Sequence, residues 1–486
     1  MKERIRELEE EARKLEVGEK ERAGWEREVM EYGNRFVEGL ARGKAFEQGG
    51  DMGAALLELP LDGSRRGIGE VLGVLKRALG SSGLNPASGG HLGYIPGGGV
   101  YPAALGDYLA AVTNEYAGIY FAGPAAVRME HMLIRWMCKL CGYGEEALGN
   151  LTSGGSIANL IAFVTARDSM EITSLRVRQS VIYLTEQVHH CVHKAIRIGG
   201  LMEAQVRTVA MDARYRMDAE KLKAQIREDR DLGLHPFLVI ASAGTTDTGA
   251  VDPLDAIADI CEAEELWFHV DAAYGGFFLL ADLPAQEGGT VKRLLKGIER
   301  SDSLAIDPHK GMFLPYGVGA VLIRDVEAQL RSHHYRASYM QDSFGVDGEW
   351  NPADLSPELT RHWRGLRMWL PLQLYGIAPF KAALEEKILL CRDFYARVAA
   401  LGFEVGPYPD LSVCIYRYVP KEGDADAFNA ALVDRVQRDG RVFVSSTRIH
   451  GVYWIRLAVL CFRTHLVHTE TLLELLAEGV EEQLAN

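Results

Sequence analysis

LWFHVDAAYGG, residues 266–276, is a short run of large residues closed by an aspartate and then by small ones. A run of this length, bounded by alanine and glycine, reads as a buried strand whose carboxyl end carries Asp271. Ala272 and Ala273 leave room there for a flat ligand to lie against the strand end. Runs of the same kind stand on either side: SVIYLTE (180–186), VRTVAM (206–211), PFLVIAS (236–242), SLAID (303–307) and GAVLIRD (319–325). Between them lie helical patterns such as MDAEKLKAQIRED (217–229) and PLDAIADICEAEE (253–265). Alternation of near-continuous apolar strands with helices predicts an α/β fold, a mostly parallel sheet covered by helices on both faces. In such sheets ligands bind beyond the carboxyl ends of the strands.

Outward from this region the pattern changes. Past residue 375 come a long helix (FKAALEEKILLCRDFYARVAAL, 380–401), strands (LSVCIYRYV, VYWIRLAVL) and a closing helix, which predict a smaller α+β domain over 376–486. The large domain is expected over 111–375. The first 110 residues read as a helical arm, because Ile5, Leu8, Leu15, Trp25, Val29, Phe36 and Leu40 form an apolar stripe amid dense charge.

The balance of 53 Lys+Arg against 67 Asp+Glu gives a net charge of −14, a field that repels nucleic acid and anionic membranes. Hydrophobic residues at 48% and charged residues at 25% are ordinary for a globular protein. No run of 18 apolar residues is present and the amino terminus is dense in both charges, so neither a membrane span nor a leader is expected, and the cytoplasm is the expected compartment. Seven scattered cysteines suggest reduced thiols. Cys138-Lys-Leu-Cys141 lacks a second such pair and reads as buried helix; His189, His190 and His193 lack the glutamate of a zinc HExxH motif, so no metal is expected.

Three signals bear on chemistry. TSGGSIAN (152–159) opens a helix with small residues where backbone N–H groups lack partners, a place for a phosphate or for a plain helix cap. Asp271 closes one strand. Lys310, in Asp307-Pro-His-Lys310, follows another. A phosphate nest, a strand-end carboxylate and a strand-end lysine are what pyridoxal 5'-phosphate requires: the amine for a Schiff base, the nest for the phosphate, the carboxylate for the pyridine nitrogen.

At this point the chain resembles the group II pyridoxal-phosphate-dependent amino acid decarboxylases, the family of the aromatic amino acid, tyrosine, histidine and glutamate enzymes. The resemblance runs from about residue 60 to the end, through TSGGSIAN, EQVHHCVHKA, AGTTDTGAVDPL, HVDAAYGG, DPHKGMFLPYG and ELTRHWRGLRMW in that order. It implies a fold-type I (aspartate aminotransferase-like) homodimer in which the amino-terminal segment clasps the partner. Lys310 is then the Schiff-base lysine and Asp271 the partner of the ring nitrogen. Gly155, Ser156 and His309 fall at the phosphate, His189 over the ring, Thr246 and Ala273 on its other side. Arg361 falls at the substrate end, and Tyr339 matches the tyrosine of a mobile loop that protonates the substrate carbon. Relatives that make aldehydes carry phenylalanine there. The polar stretch 331–358 is expected to act as a lid.

The resemblance implies decarboxylation of an L-amino acid to its amine and CO₂. In the family the segment matching Gly90–Tyr101 lines the side-chain pocket; here Tyr94, Ile95 and Pro96 are apolar and no arginine is present, which favours an aromatic substrate such as tyrosine, tryptophan or dopa. Glycines at 97–99 depart from the pattern, and the Trp and His of aromatic decarboxylases have no clear counterpart near Asn85–Ser88. An aldehyde synthase or aminotransferase of the same fold, and a decarboxylase of an acidic amino acid, are the alternatives. Arg456 reads as a structural strand residue, with a substrate carboxylate as its other possible partner.

Overall fold

The computed structural model describes residues 1–50, 53–80, 83–286, 288–334 and 349–485. Its centre is a seven-stranded sheet: β1 (Leu148–Thr152), β2 (Ser180–Leu184), β3 (Gln205–Thr208), β4 (His235–Ser242), β5 (Trp267–Asp271), β6 (Ser303–Ile306) and β7 (Gly319–Ile323). In space they run β1-β7-β6-β5-β4-β2-β3. β7 is antiparallel to both of its neighbours, so the other six strands share one direction.

The apolar runs become strands because both faces are covered: β1, β2, β6 and β7 are buried at every position. Each such Val, Ile or Leu contributes roughly 1.5–3 kcal/mol on leaving water. VRTVAM differs from expectation. Only its first half is strand, and β3 is largely exposed because it forms the sheet edge. Helix Gly155–Ser169 lies on one sheet face, burying Ala158, Asn159, Ile161, Ala162, Phe163, Thr165 and Ala166 at helical spacing.

The small domain is a four-stranded antiparallel sheet packed against helices Ala378–Ala400, Ala425–Asp439 and Leu466–Ala485, with its own core. The amino-terminal stretch divides in two. Helices Lys2–Ala12 and Glu19–Gly39 contain no buried residue. Residues 90–100, in contrast, are built into the body. Leu92 joins the small-domain core, pairing its N–H with Phe443 O at 2.8 Å, while Ile95 and Val100 join the large one. Cys138 and Cys141 are buried at the end of helix Pro124–Leu140, and burial pushes the Cys138 thiol up to about 12. Among the described residues no helix is long and apolar enough to cross a membrane.

Candidate active site

The loops that carry the predicted cofactor-binding residues leave the sheet at the same edge. Gly155 and Ser156 follow β1, His189 follows β2, Thr246 follows β4, Asp271 ends β5, and His309 and Lys310 follow β6. These strands are parallel, so their carboxyl ends meet, and there the chain encloses a cavity of about 260 Å³. Gly155, Ser156, His189, Thr246, Asp271, Ala273, His309 and Lys310 all line it.

The two ends of the cavity differ in chemistry. At one end is Asp271. Its Oδ1 accepts from Ala273 N at 3.1 Å and its Oδ2 from Asn159 Nδ2 at 3.1 Å, so both oxygens are held. At the other end the helix starting at Gly155 presents unpaired N–H groups. A Cβ at Gly155 would stand 3.1 Å from Asp307 Oδ2 and 3.3 Å from Ala273 Cβ, so glycine is what keeps that floor open. His309 lies beside it. Its Nδ1 donates to Val318 O at 2.6 Å, which leaves Nε2 as the variable nitrogen.

Lys310 stands between. Its Nζ is 3.2 Å from Asp307 Oδ2. Burial by itself pushes the ammonium's pKa down, but the carboxylates of Asp307 and Asp271 outweigh it and the net direction is upward. His189 caps helix His190–Ile198, with Nδ1 accepting from Cys191 N at 3.3 Å. Burial, then His190 and Lys310, lower its pKa, so it offers a neutral ring to the cavity.

The donor set fits pyridoxal phosphate. A carboxylate would face a ring nitrogen at one end, an amine would reach a carbonyl midway, and helix N–H groups with an imidazole would receive an anion at the other. The fit includes a residue that the motif reading passed over. Asp307 is buried, and its Oδ1 has no partner although its Oδ2 holds Lys310. Its place three residues before the lysine, at a strand end, was the available signal.

Other predicted residues lie elsewhere. Arg361 does not line the cavity. It is buried, donating to Glu130 Oε1 at 2.8 Å and to the Leu151 carbonyl. Tyr94, Ile95 and Pro96 do not line it either: Ile95 and Pro96 are buried, and Tyr94 stacks on Phe443 with 55% of its surface open. Arg456 is buried and donates to Thr246 O, Ser445 Oγ and Tyr94 O, which commits it to structure. The glycines at 97–99 have a packing cause, since a Cβ at Gly97 would stand 2.3 Å from His309 O. Tyr339 and most of the expected lid lie outside the described residues. Of that lid, Arg331–His333 complete a helix, and Glu349 pairs with His131 at 2.6 Å. Among the described residues no group of three or more His, Cys, Asp or Glu is placed to hold a metal ion.

The conserved domain of pyridoxal-dependent decarboxylases matches residues 90–418. An aromatic-L-amino-acid decarboxylase from Bacillus atrophaeus is 34% identical over 391 residues, 79% of this chain and 79% of that protein. An L-2,4-diaminobutyrate decarboxylase from Acinetobacter baumannii is 27% identical over 78% of this chain and 76% of its own length. In fold, the crystal structure of Oryza sativa TDC with PLP and tryptamine superposes with a TM-score of 0.87 at 23% identity, covering 96% of this chain and 99% of that one.

Proposed function

This chain belongs to the pyridoxal-dependent decarboxylase family, and from that premise we propose that it converts an aromatic L-amino acid to the corresponding amine and CO₂. It is an amino acid decarboxylase whose cofactor is pyridoxal 5'-phosphate. The observation that carries the reading is the convergence of Asp271, Lys310 with Asp307, and the Gly155–Ser156 helix start on one cavity.

When bound, the cofactor supplies a ring that accepts the electron pair of a bond broken at the substrate's Cα. The protein's residues bind, orient and move protons. Asp271 pairs with the ring nitrogen and keeps it protonated. Gly155, Ser156 and His309 hold the phosphate. Lys310 would hold the cofactor through its carbonyl carbon, and Asp307, 3.2 Å away, would keep the lysine's amino group in place. His189 and Ala273 close the two ring faces, and Thr246 lines the same side as Ala273. By fixing the cofactor, these residues would set which bond at the substrate's Cα is positioned to break.

An aromatic side chain is supported by the first relative above. The purified protein, loaded with cofactor and offered a panel of L-amino acids, should release CO₂ from tyrosine, tryptophan or dopa with kcat/KM at least about tenfold above glutamate and 2,4-diaminobutyrate. That margin is the usual worth of one well-filled apolar pocket. A preference for either of the last two overturns the aromatic assignment.

The working unit is a homodimer. The two amino-terminal helices bury nothing in their own chain, yet expose Ile5, Leu8, Trp25, Val29, Phe36 and Val37. An apolar stripe of that extent needs a cover, and a second copy supplies it. Sedimentation should find a dimer, and Trp25→Glu with Phe36→Glu should weaken it, releasing cofactor and activity together on dilution. A fully active monomer would refute the arrangement.

A further inference from the structure

Behind Asp271 the structure holds four more polar side chains in a line. Strand β5 turns alternate residues to one face, so Trp267, His269 and Asp271 share the face covered by helix Gly155–Ser169. Trp267 Nε1 is 2.8 Å from Ser303 Oγ, which is 2.8 Å from His269 Nδ1. His269 Nε2 is 2.8 Å from Asn159 Oδ1, and Asn159 Nδ2 is 3.1 Å from Asp271 Oδ2. Asn159, His269 and Ser303 are fully buried, and Phe163 sets its ring edge-on to His269 at 5.1 Å.

The direction of every bond is forced from the two ends. An indole N–H only donates and an ionised carboxylate only accepts. Asn159 must turn its amide nitrogen to Asp271, so its oxygen faces His269 and Nε2 carries the hydrogen. Burial lowers the His269 pKa to about 4, so the ring is neutral, and Nδ1 accepts from the Ser303 hydroxyl. The hydroxyl oxygen in turn accepts from Trp267.

We infer that this one-way chain, Trp267 to Ser303 to His269 to Asn159, aims the Asp271 carboxylate at the cofactor's ring nitrogen and strengthens that pairing, with Asn159 and His269 as positioning residues. Hydrogen bonds in series polarise one another, and here each adds donor strength toward the same carboxylate. The chain explains the Trp-x-His-x-Asp spacing of residues 267–271, which a purely apolar strand would not need.

The inference rests on Asp271 being the partner of the ring nitrogen, and the experiment separates the two. Apoprotein is titrated with pyridoxal phosphate and with 1-deaza-pyridoxal phosphate, in which CH replaces the ring nitrogen, and the ratio of the two dissociation constants is read from the fluorescence change. Asp271→Ala should erase the preference for the natural cofactor; if it does not, the assignment of Asp271 itself fails. His269→Phe should cut the preference roughly tenfold by weakening pyridoxal phosphate alone, the scale of one hydrogen bond to a charged group. His269→Gln, whose amide offers one donor and one acceptor at similar spacing, should restore most of it. Equal weakening of both ligands, or an unchanged ratio, overturns the chain. Should His269→Phe not fold, Ser303→Ala breaks the next link, and there too an unchanged ratio is fatal.

Discussion

Lys310→Ala should leave a protein that holds pyridoxal phosphate without absorbing above 400 nm and decarboxylates at least about 10³-fold more slowly, the range for loss of a positioned catalytic proton carrier. The geometry makes this the most damaging single change. Lys310 Nζ is the cation between Asp307 and Asp271, and alanine leaves both carboxylates facing the cavity. Hydride trapping followed by mass spectrometry should place the cofactor on Lys310 in the natural protein and nowhere in the variant. Added methylamine should recover part of the rate, since a free amine can do what the tethered one did. A coloured Lys310→Ala protein, or a trapped adduct on another side chain, would remove the basis of the proposed chemistry.

Tyr339→Phe should redirect the product rather than stop the reaction. After CO₂ departs, a proton delivered to Cα gives the amine. Without that delivery, O₂ takes two electrons and becomes hydrogen peroxide, and water hydrolyses the resulting imine to aldehyde and ammonia in place of amine. The tyrosine hydroxyl is the proton donor in this reading, and removing such a group costs about 10²–10⁴ in the step it serves. Amine yield should therefore fall at least about a hundredfold, while aldehyde and peroxide appear in equal amounts under air. Unchanged amine yield would show that another group donates the proton.

Much of this was legible in the chain because the signals were local. Apolar runs of strand length gave the sheet, and a carboxylate and a lysine standing at strand ends gave the cavity that holds them. What escaped was set by distant partners. Arg361 fits a substrate-binding pattern by its neighbours in sequence, yet the fold buries it outside the cavity with Nη2 on Glu130, 231 residues earlier. Tyr94, Ile95 and Pro96 look like pocket lining until the fold seats them against Phe443 and the large core. Asp307 escaped for the opposite reason: it was adjacent to the lysine, but only the fold shows the 3.2 Å contact. Period-2 spacing in LWFHVD held the line of polar groups behind Asp271, but no spacing rule says that Asn159 closes it.

The strip from Leu92 to Gly99 behaves as a mechanical strap. It is stitched to the small domain at Phe443 and Ala458, gripped by Arg463 at the Gly98 carbonyl, and laid at Gly97 directly on the backbone of His309 and Lys310. Through this strip the small domain is tied to the turn that bears Lys310.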